Sequence, residues 1–342
     1  MTGRRPVELA IMRGGTSRGP VLRFEAAPPE GPERDDFARS LTGRTLADGL
    51  GGGTPTTSKI VLVRQSQDGG VDLDYVVGNL APAGGAVDWA GTCGNMTAAV
   101  VPYAALSGLL TRRDDRQFRL RNLATAGLID VTVSDPWSLD CRGAEVRLTT
   151  SYLDPGGAVL GTTLPTGNPR DVMEVDGGAI DYTIIDITHP YLFLRYNQVV
   201  GHGNVDDTAI AKRIERIRGA VCVRLGLCGD ADAAGQVSAA VPRAVLVHAE
   251  PGQDVDVRIT AVSMGEAIGS VPVSAAMSIA AASGIDGTLI SDQAPAGREG
   301  GICIAGPAAG IRARATVDGS GRVACASVDR TARCLMSGTA WV

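Results

Sequence analysis

The stretch Asp88-Trp89-Ala90-Gly91-Thr92-Cys93-Gly94-Asn95-Met96-Thr97-Ala98-Ala99-Val100-Val101-Pro102-Tyr103-Ala104-Ala105-Leu106-Ser107-Gly108-Leu109-Leu110 decides how the rest of the chain is read. It is polar and glycine-rich as far as Asn95, then becomes a run of small and aliphatic side chains with no charge before Arg112. A loop opening into a helix is predicted, closed by the Ser107-Gly108 stop signal. Apolar residues on every face of such a helix require protein all around it, leaving only its N-terminus open. Cys93 stands at that opening. Free N–H groups and the positive end of the helix dipole favour negative charge there, either a thiolate or the carboxylate of a ligand. Gly94 lets a ligand approach the backbone closely, and Asn95 puts a polar side chain at the mouth.

With 342 residues the chain is long enough for two domains of ordinary size. Aromatic residues make up only 4% of it and the formal net charge is −5, which argues against stacking on bases or neutralising a polyanion. Trp89 to Thr111 is long enough to span a bilayer, but glycines, Asn95, Pro102 and many alanines dilute its hydrophobicity, so no membrane partner is expected. The seven cysteines are scattered and odd in number, and only three histidines are present, so neither a disulfide framework nor a metal site is expected. A reduced, cytoplasmic location is expected from that cysteine usage and from the lack of a signal-peptide core behind the N-terminal arginines.

Upstream, Val7 to Phe24 reads as strand, glycine turn, strand around Met12-Arg13-Gly14-Gly15-Thr16-Ser17-Arg18-Gly19. A surface loop is expected from Ala26 to Asp36, then a short helix from Phe37 to Leu46 and a glycine- and hydroxyl-rich loop from Gly49 to Ser58. Lys59 follows that loop and heads the apolar strand Ile60-Val61-Leu62-Val63. Lysine at a strand end is usually solvated. Behind such a loop it can instead sit at a pocket edge, where desolvation favours the neutral amine and makes it a usable proton acceptor.

Ser58 to Val77 recurs without a gap 184 residues later as Pro242 to Ala261. Val61-Leu62-Val63 matches Val245-Leu246-Val247, and Lys59 falls opposite Arg243. The second copy also leads to a charge-free helix, Ser270 to Ser283, with Pro272 in its first turn. Phe118 to Val133 and Ala144 to Leu153 alternate like strands, Tyr182 to Leu194 opens the second unit as Val7 to Leu22 opens the first, and Asp206 to Leu227 is an amphipathic surface helix with Arg213, Arg216 and Arg218 off its apolar face. An α+β chain of two pseudo-symmetric domains is expected, each with curved, mostly antiparallel strands around one buried helix. The first spans 1–177, the second spans 178–327, and the site is expected in the cleft between them.

Six ordered motifs complete the reading: Met12 to Ser17, Gly51-Gly52 through Thr56-Thr57-Ser58-Lys59, Asp88-Trp89 with Cys93-Gly94-Asn95, Leu164-Pro165-Thr166-Gly167-Asn168, Ser263-Met264-Gly265, and Arg330-Thr331-Ala332-Arg333. Together they resemble the PrpF-like isomerases, a family that includes 2-methylaconitate cis-trans isomerase, 4-oxalomesaconate tautomerase and 3-methylitaconate delta-isomerase. The resemblance implies a diaminopimelate epimerase-like fold, a C-terminal strand at 328–342 that returns to the first domain, no cofactor, and Lys59 and Cys93 as the proton-transfer pair. It is compatible with a homodimer. Gly14, Gly15, Thr16, Ser17, Ser58, Gly94, Asn95 and Met96 are expected to hold substrate from one half, Ser263 and Met264 from the other. The chain departs from the family pattern at Arg18, at His189-Pro190, at Glu266 and Ile268 where arginine and histidine are usual, and at Gly306-Pro307-Ala308-Ala309-Gly310. Fewer basic groups in the second half point to a less charged unsaturated acid.

The chemistry can be argued from the residues. Moving a double bond in an unsaturated carboxylate means removing a carbon-bound proton and returning one two carbons away, with N–H donors holding the dienolate. Two unlike groups, Lys59 and Cys93, suit that task. Three functions fit the sequence: an allylic isomerase of an unsaturated di- or tricarboxylate or keto acid, an epimerase or racemase of the same fold, and a non-catalytic carboxylate-binding protein.

Overall fold

The repeat becomes two copies of one strand pattern. The computed structural model describes residues 5–43, 49–51, 53–80, 87–110, 115–140, 144–201, 207–249, 254–263, 266–294 and 300–342. The chain divides into two compact units, Met1–Leu153 with Asp329–Val342, and Asp154–Val328.

In the first unit β1 (Pro6–Gly14) folds back antiparallel on β2 (Ser17–Arg23), followed by α1 (Pro32–Thr42). That helix starts earlier than the expected Phe37 and shortens the loop before it, because Pro32 needs no N–H partner in a first turn and Glu33 and Asp35 suit the positive helix end. Residues 44–46 of the expected helix lie outside the described residues. β3 (Lys59–Gln65) runs parallel to β2 and antiparallel to β4 (Leu73–Leu80). Next come β5 (Val87–Asp88), α2 (Gly94–Thr97), α3 (Val100–Leu106), β6 (Gln117–Asn122), β7 (Leu128–Val133) and β8 (Val146–Leu153).

The expected central helix is thus two short ones. Pro102 has no N–H to give the carbonyl of Ala98, and next to that gap Ala99 N–H bonds to Met96 O at 3.0 Å, a tighter turn than the α-helical one. Every residue from Met96 to Ala105 except Pro102 is less than 5% exposed, and Pro102 is buried too, as the uncharged composition required. Gly108, at φ +74°, ends the segment.

The second unit contains β9 (Asp171–Val175), β10 (Gly178–Ile187), β11 (His189–Arg195), α4 (Tyr196–Val200), α5 (Asp207–Arg224), α6 (Ala234–Val237), β12 (Arg243–Val247), β13 (Val257–Ser263), β14 (Glu266–Ile268), α7 (Val273–Ser283), β15 (Ile302–Ala305) and β16 (Gly310–Val317). The last strand, β17 (Val323–Trp341), pairs with β16 through Val328 and with β1 from Ala332 onward. The first unit closes at Leu153, ahead of 177, since the intervening segment belongs with β10: β9 pairs with it and Gly156 bridges Ile187.

The 184-residue offset survives in register. Val61 faces Val77 across β3 and β4, and Val245 faces Ala261 across β12 and β13. β4 then lies parallel to β6, as β13 does to β15. These strands read as continuous apolar runs because both sheet faces are covered. In the second unit Ile184, Leu192, Leu194 and Leu246 pack against Ile214, Ile217 and Val221 of α5, while α7 lies against β10, β11 and β16. Of the three arginines expected off the apolar face of α5, Arg218 is buried instead: it pairs with Glu215 and donates to the carbonyls of Ser238 and Val241. Pro272 caps α7 from outside its first turn. Among the described residues no helix is long and apolar enough to cross a membrane.

Candidate active site

The β1–β2 turn and the start of α2, eighty positions apart in sequence, are built against each other in the first unit. A Cβ on Gly14 would lie 2.2 Å from Asn95 O, and one on Gly15 2.3 Å from Asn95 Oδ1, so both positions need glycine. Gly15 also turns at φ +51°. Asn95 Nδ2 then donates to Thr16 Oγ1 at 2.9 Å and Ser17 Oγ at 3.4 Å. Cys93 is the residue before α2, half-buried, in extended conformation with its thiol free of any capping bond. Its carbonyl instead accepts from Thr97 N–H at 2.9 Å and Thr97 Oγ1 at 3.1 Å.

The loop leading to Cys93 is pinned at two points. Trp89 donates its indole N–H to Asp35 at 2.8 Å and lays its ring where a Cβ on Gly78 would be. Asp88 Oδ1 accepts the N–H groups of Ala90 and Gly91, both at 3.0 Å. Behind Cys93 is a polar layer in which Tyr75 OH bonds Thr97 Oγ1 at 2.9 Å. Burial pushes the phenol of Tyr75 up and that of Tyr152 up to about 12, so both stay neutral.

Lys59 begins β3, and its ammonium donates to Asn79 Oδ1, directly opposite on β4, at 2.7 Å. Asn79 in turn faces Asp88 across β5, and its Nδ2 lies 2.9 Å from where a Cβ on Gly91 would be, two positions before Cys93. Asn79 therefore joins the lysine to the cysteine loop. On its other side Lys59 is packed against Gly19, whose Cβ would meet the lysine carbonyl at 2.1 Å.

Ser58 is buried and its carbonyl accepts from Leu80 N–H. Met96 has its side chain wholly in the core and can offer a ligand only its backbone N–H, one of those a helix start leaves unpaired. Ser263 ends β13 in the second unit, while Met264 and Gly52 lie outside the described residues. His189 bonds the carbonyl of Ala240 at 2.8 Å and is held down to about 4, first by burial and then by the charge of Arg243, so it is a neutral turn histidine. Among the described residues no three His, Cys, Asp or Glu side chains are grouped as metal ligands would be.

Two groups at this site were not singled out from the sequence. Asn79 has no local signature, since only strand register puts it opposite Lys59. Arg330 was visible only as a motif member. Its Cδ is 3.3 Å from the Cβ position of Gly15, and with Gly15, Thr16 and Arg147 it lines a cavity of about 480 Å³. Burial lowers its guanidinium to about 10, against the opposing influence of Tyr152, Asp329 and Cys93.

Comparison with known proteins gives this geometry a family. The family model described as PrpF protein matches residues 4–342. A 2-methyl-aconitate isomerase of Shewanella oneidensis is 30% identical, covering 97% of this chain and 96% of its own length. The crystal structure of a methylitaconate-delta-isomerase superposes with a TM-score of 0.84 at 26% identity over 100% of this chain and 96% of that one. A hydroxyproline epimerase from Agrobacterium vitis, 13% identical, shares the fold with a TM-score of 0.56, covering 99% of this chain and 93% of its own. The fold is the diaminopimelate epimerase-like one, and with a match running almost from end to end the chain belongs to the PrpF family.

Proposed function

We propose that the protein is a cofactor-independent isomerase that shifts a carbon–carbon double bond in an unsaturated di- or tricarboxylate, or in a related keto acid, with Lys59 and Cys93 as the proton-transfer groups. The observation that carries this reading is the convergence of three separate motifs in one unit: the Gly14–Ser17 turn on Asn95, Cys93 at the start of α2, and Lys59 tied to the same loop through Asn79.

One of the pair takes a proton from a carbon conjugated with the carboxylate or ketone, and the π electrons move onto oxygen as a dienolate. Backbone N–H groups and the hydroxyls of Thr16 and Ser17 stabilise that charge. The other group returns a proton two carbons away, the electrons move back, and the double bond has shifted with no net gain or loss of protons. The two groups are chemically unlike, which fits two different carbon positions better than the matched pair an epimerase uses on one stereocentre. Glu266 and Ile268, where the resemblance leads to an expectation of basic groups, bring no positive charge and so fit a substrate with fewer charges than a tricarboxylate. The scattered free cysteines suit a reducing cytoplasm.

Incubation with 2-methylaconitate, 3-methylitaconate, 4-oxalomesaconate and less charged unsaturated acids in deuterated water, followed by NMR, tests this directly. Deuterium should enter one allylic position of at least one acid, and Lys59→Ala and Cys93→Ser should each slow exchange by roughly 10²–10⁴-fold. Exchange unaffected by both variants, or absent from the whole panel, would end the reading. Inversion at a stereocentre without movement of a double bond would make the protein an epimerase.

A further inference from the structure

We propose that Arg330 is a carboxylate-binding residue of this site, left without an acid of its own so that one carboxylate of the substrate completes it. The inference rests on the isomerase reading above and adds to it a specific anchor.

Two arginines flank the Gly15 turn, and they differ in their partners. Arg13 is fully engaged, donating to Glu145 at 2.6 Å, to Gly15 O at 2.9 Å and to Thr331 Oγ1 at 3.0 Å. Arg330 makes no hydrogen bond and no ion pair among the described residues, and its Nε is buried with no partner at all. The neighbouring Asp329 accepts from Thr149 Oγ1 at 2.9 Å and forms no ion pair with Arg330 among the described residues.

A guanidinium is planar, permanently charged and forked for a carboxylate. Arg330 is half-buried, with Nε alone cut off from solvent, so its guanidinium is reachable by an anion, and a forked carboxylate would supply the partner that Nε lacks. Three features say that the anion comes from a ligand. The side chain lies against Gly15, and the carboxamide Oδ1 of Asn95 faces the same glycine, which puts Arg330 among the residues assigned to substrate. The hydroxyl of Tyr152 is shielded from solvent without a hydrogen-bond partner among the described residues, and it lies within electrostatic reach of Arg330. The cavity of about 480 Å³ that Arg330 lines with Gly15, Thr16, Arg147 and Asp329 is of a size that holds a small polyacid, and it reaches the glycine turn assigned to substrate.

Binding of two inert acids with no double bond, propane-1,2,3-tricarboxylate and methylsuccinate, to the full chain by calorimetry is the test, with the diamide of methylsuccinate as the uncharged control. Arg330→Met should weaken acid binding at least tenfold and Arg330→Lys should restore much of it. Unliganded Arg330→Met should melt no lower than wild type, because no contact is lost. Iodoacetamide should alkylate Cys93 at an unchanged rate in Arg330→Met. Acid binding unaffected by Arg330→Met overturns the inference and leaves the isomerase reading intact. So does failure of that variant to fold, which would make Arg330 structural, or a tenfold drop in alkylation, which would make it a counter-charge for the sulfur. If wild type binds neither acid and exchanges no proton with any substrate, both readings fall.

Discussion

Gly14→Ala is the sharpest probe of how the site is assembled. Gly14 has ordinary negative φ, so a methyl group there strains nothing locally and acts only through what it meets. That is Asn95 O at 2.2 Å, with Asn95 C at 3.1 Å and Met96 Cα at 3.3 Å, all backbone atoms that no rotamer change can remove. Ordinary contact lies roughly 1 Å further out, so the turn and α2 must part by about that much. Overpacking of this kind costs about 1–3 kcal/mol. Weakening the Asn95 bonds to Thr16 and Ser17 adds about 1 kcal/mol, and stiffening of the unfolded chain returns about 0.4–1 kcal/mol. The expected net loss is about 2 kcal/mol by urea unfolding. Gly178→Ala serves as control, since its nearest neighbour would be Val175 O at 3.9 Å. The same displacement at Cys93 and Asn95 should cost about 100-fold in turnover. A Gly14→Ala protein within about 0.5 kcal/mol of wild type, with turnover intact, would refute the claim that this contact builds the site.

Asn79→Ala removes the acceptor that aims the Lys59 ammonium, a charged hydrogen bond of about 1.5–3 kcal/mol; turnover should drop about tenfold or more with KM little changed, and a pure KM effect would show that Asn79 touches substrate instead. His189 is held near 4 in the native state and is free to titrate near 6.5 when unfolded, so the unfolded chain binds the extra proton first and stability falls as pH drops from 6.5 to 4. The loss is bounded at about 3 kcal/mol. His189→Gln should flatten that part of the stability curve, and an unchanged slope would place the acid sensitivity elsewhere.

Much of the architecture was legible because burial writes itself into composition. A helix wrapped by sheet can carry no charge on any face, and Met96 to Ala105 carries none. Strands covered on both faces read as Val-Leu-Val runs, and a duplicated fold repeats them at a constant offset that register then obeys. At two places local chemistry is overridden by neighbours. Arg218 lies on α5 where a solvated arginine was expected, yet the carbonyls of Ser238 and Val241 and the carboxylate of Glu215 make burial tolerable. The central helix broke at Pro102, whose missing N–H had been outweighed by the apolar run around it.

Sequence alone determined which residue types can do the chemistry: a lysine after a hydroxyl loop, a cysteine before a charge-free helix, and a glycine turn rich in donors, each a short-range pattern. Tertiary structure decided which of them meet. Asn79 reaches Lys59 through antiparallel register, Gly14 and Gly15 reach Asn95 by backbone approach too close for any side chain, and Arg330 reaches Gly15 on the strand that returns from the far end of the chain. Those contacts are set by pairing and packing over dozens to hundreds of residues, and no local stretch carries their signature.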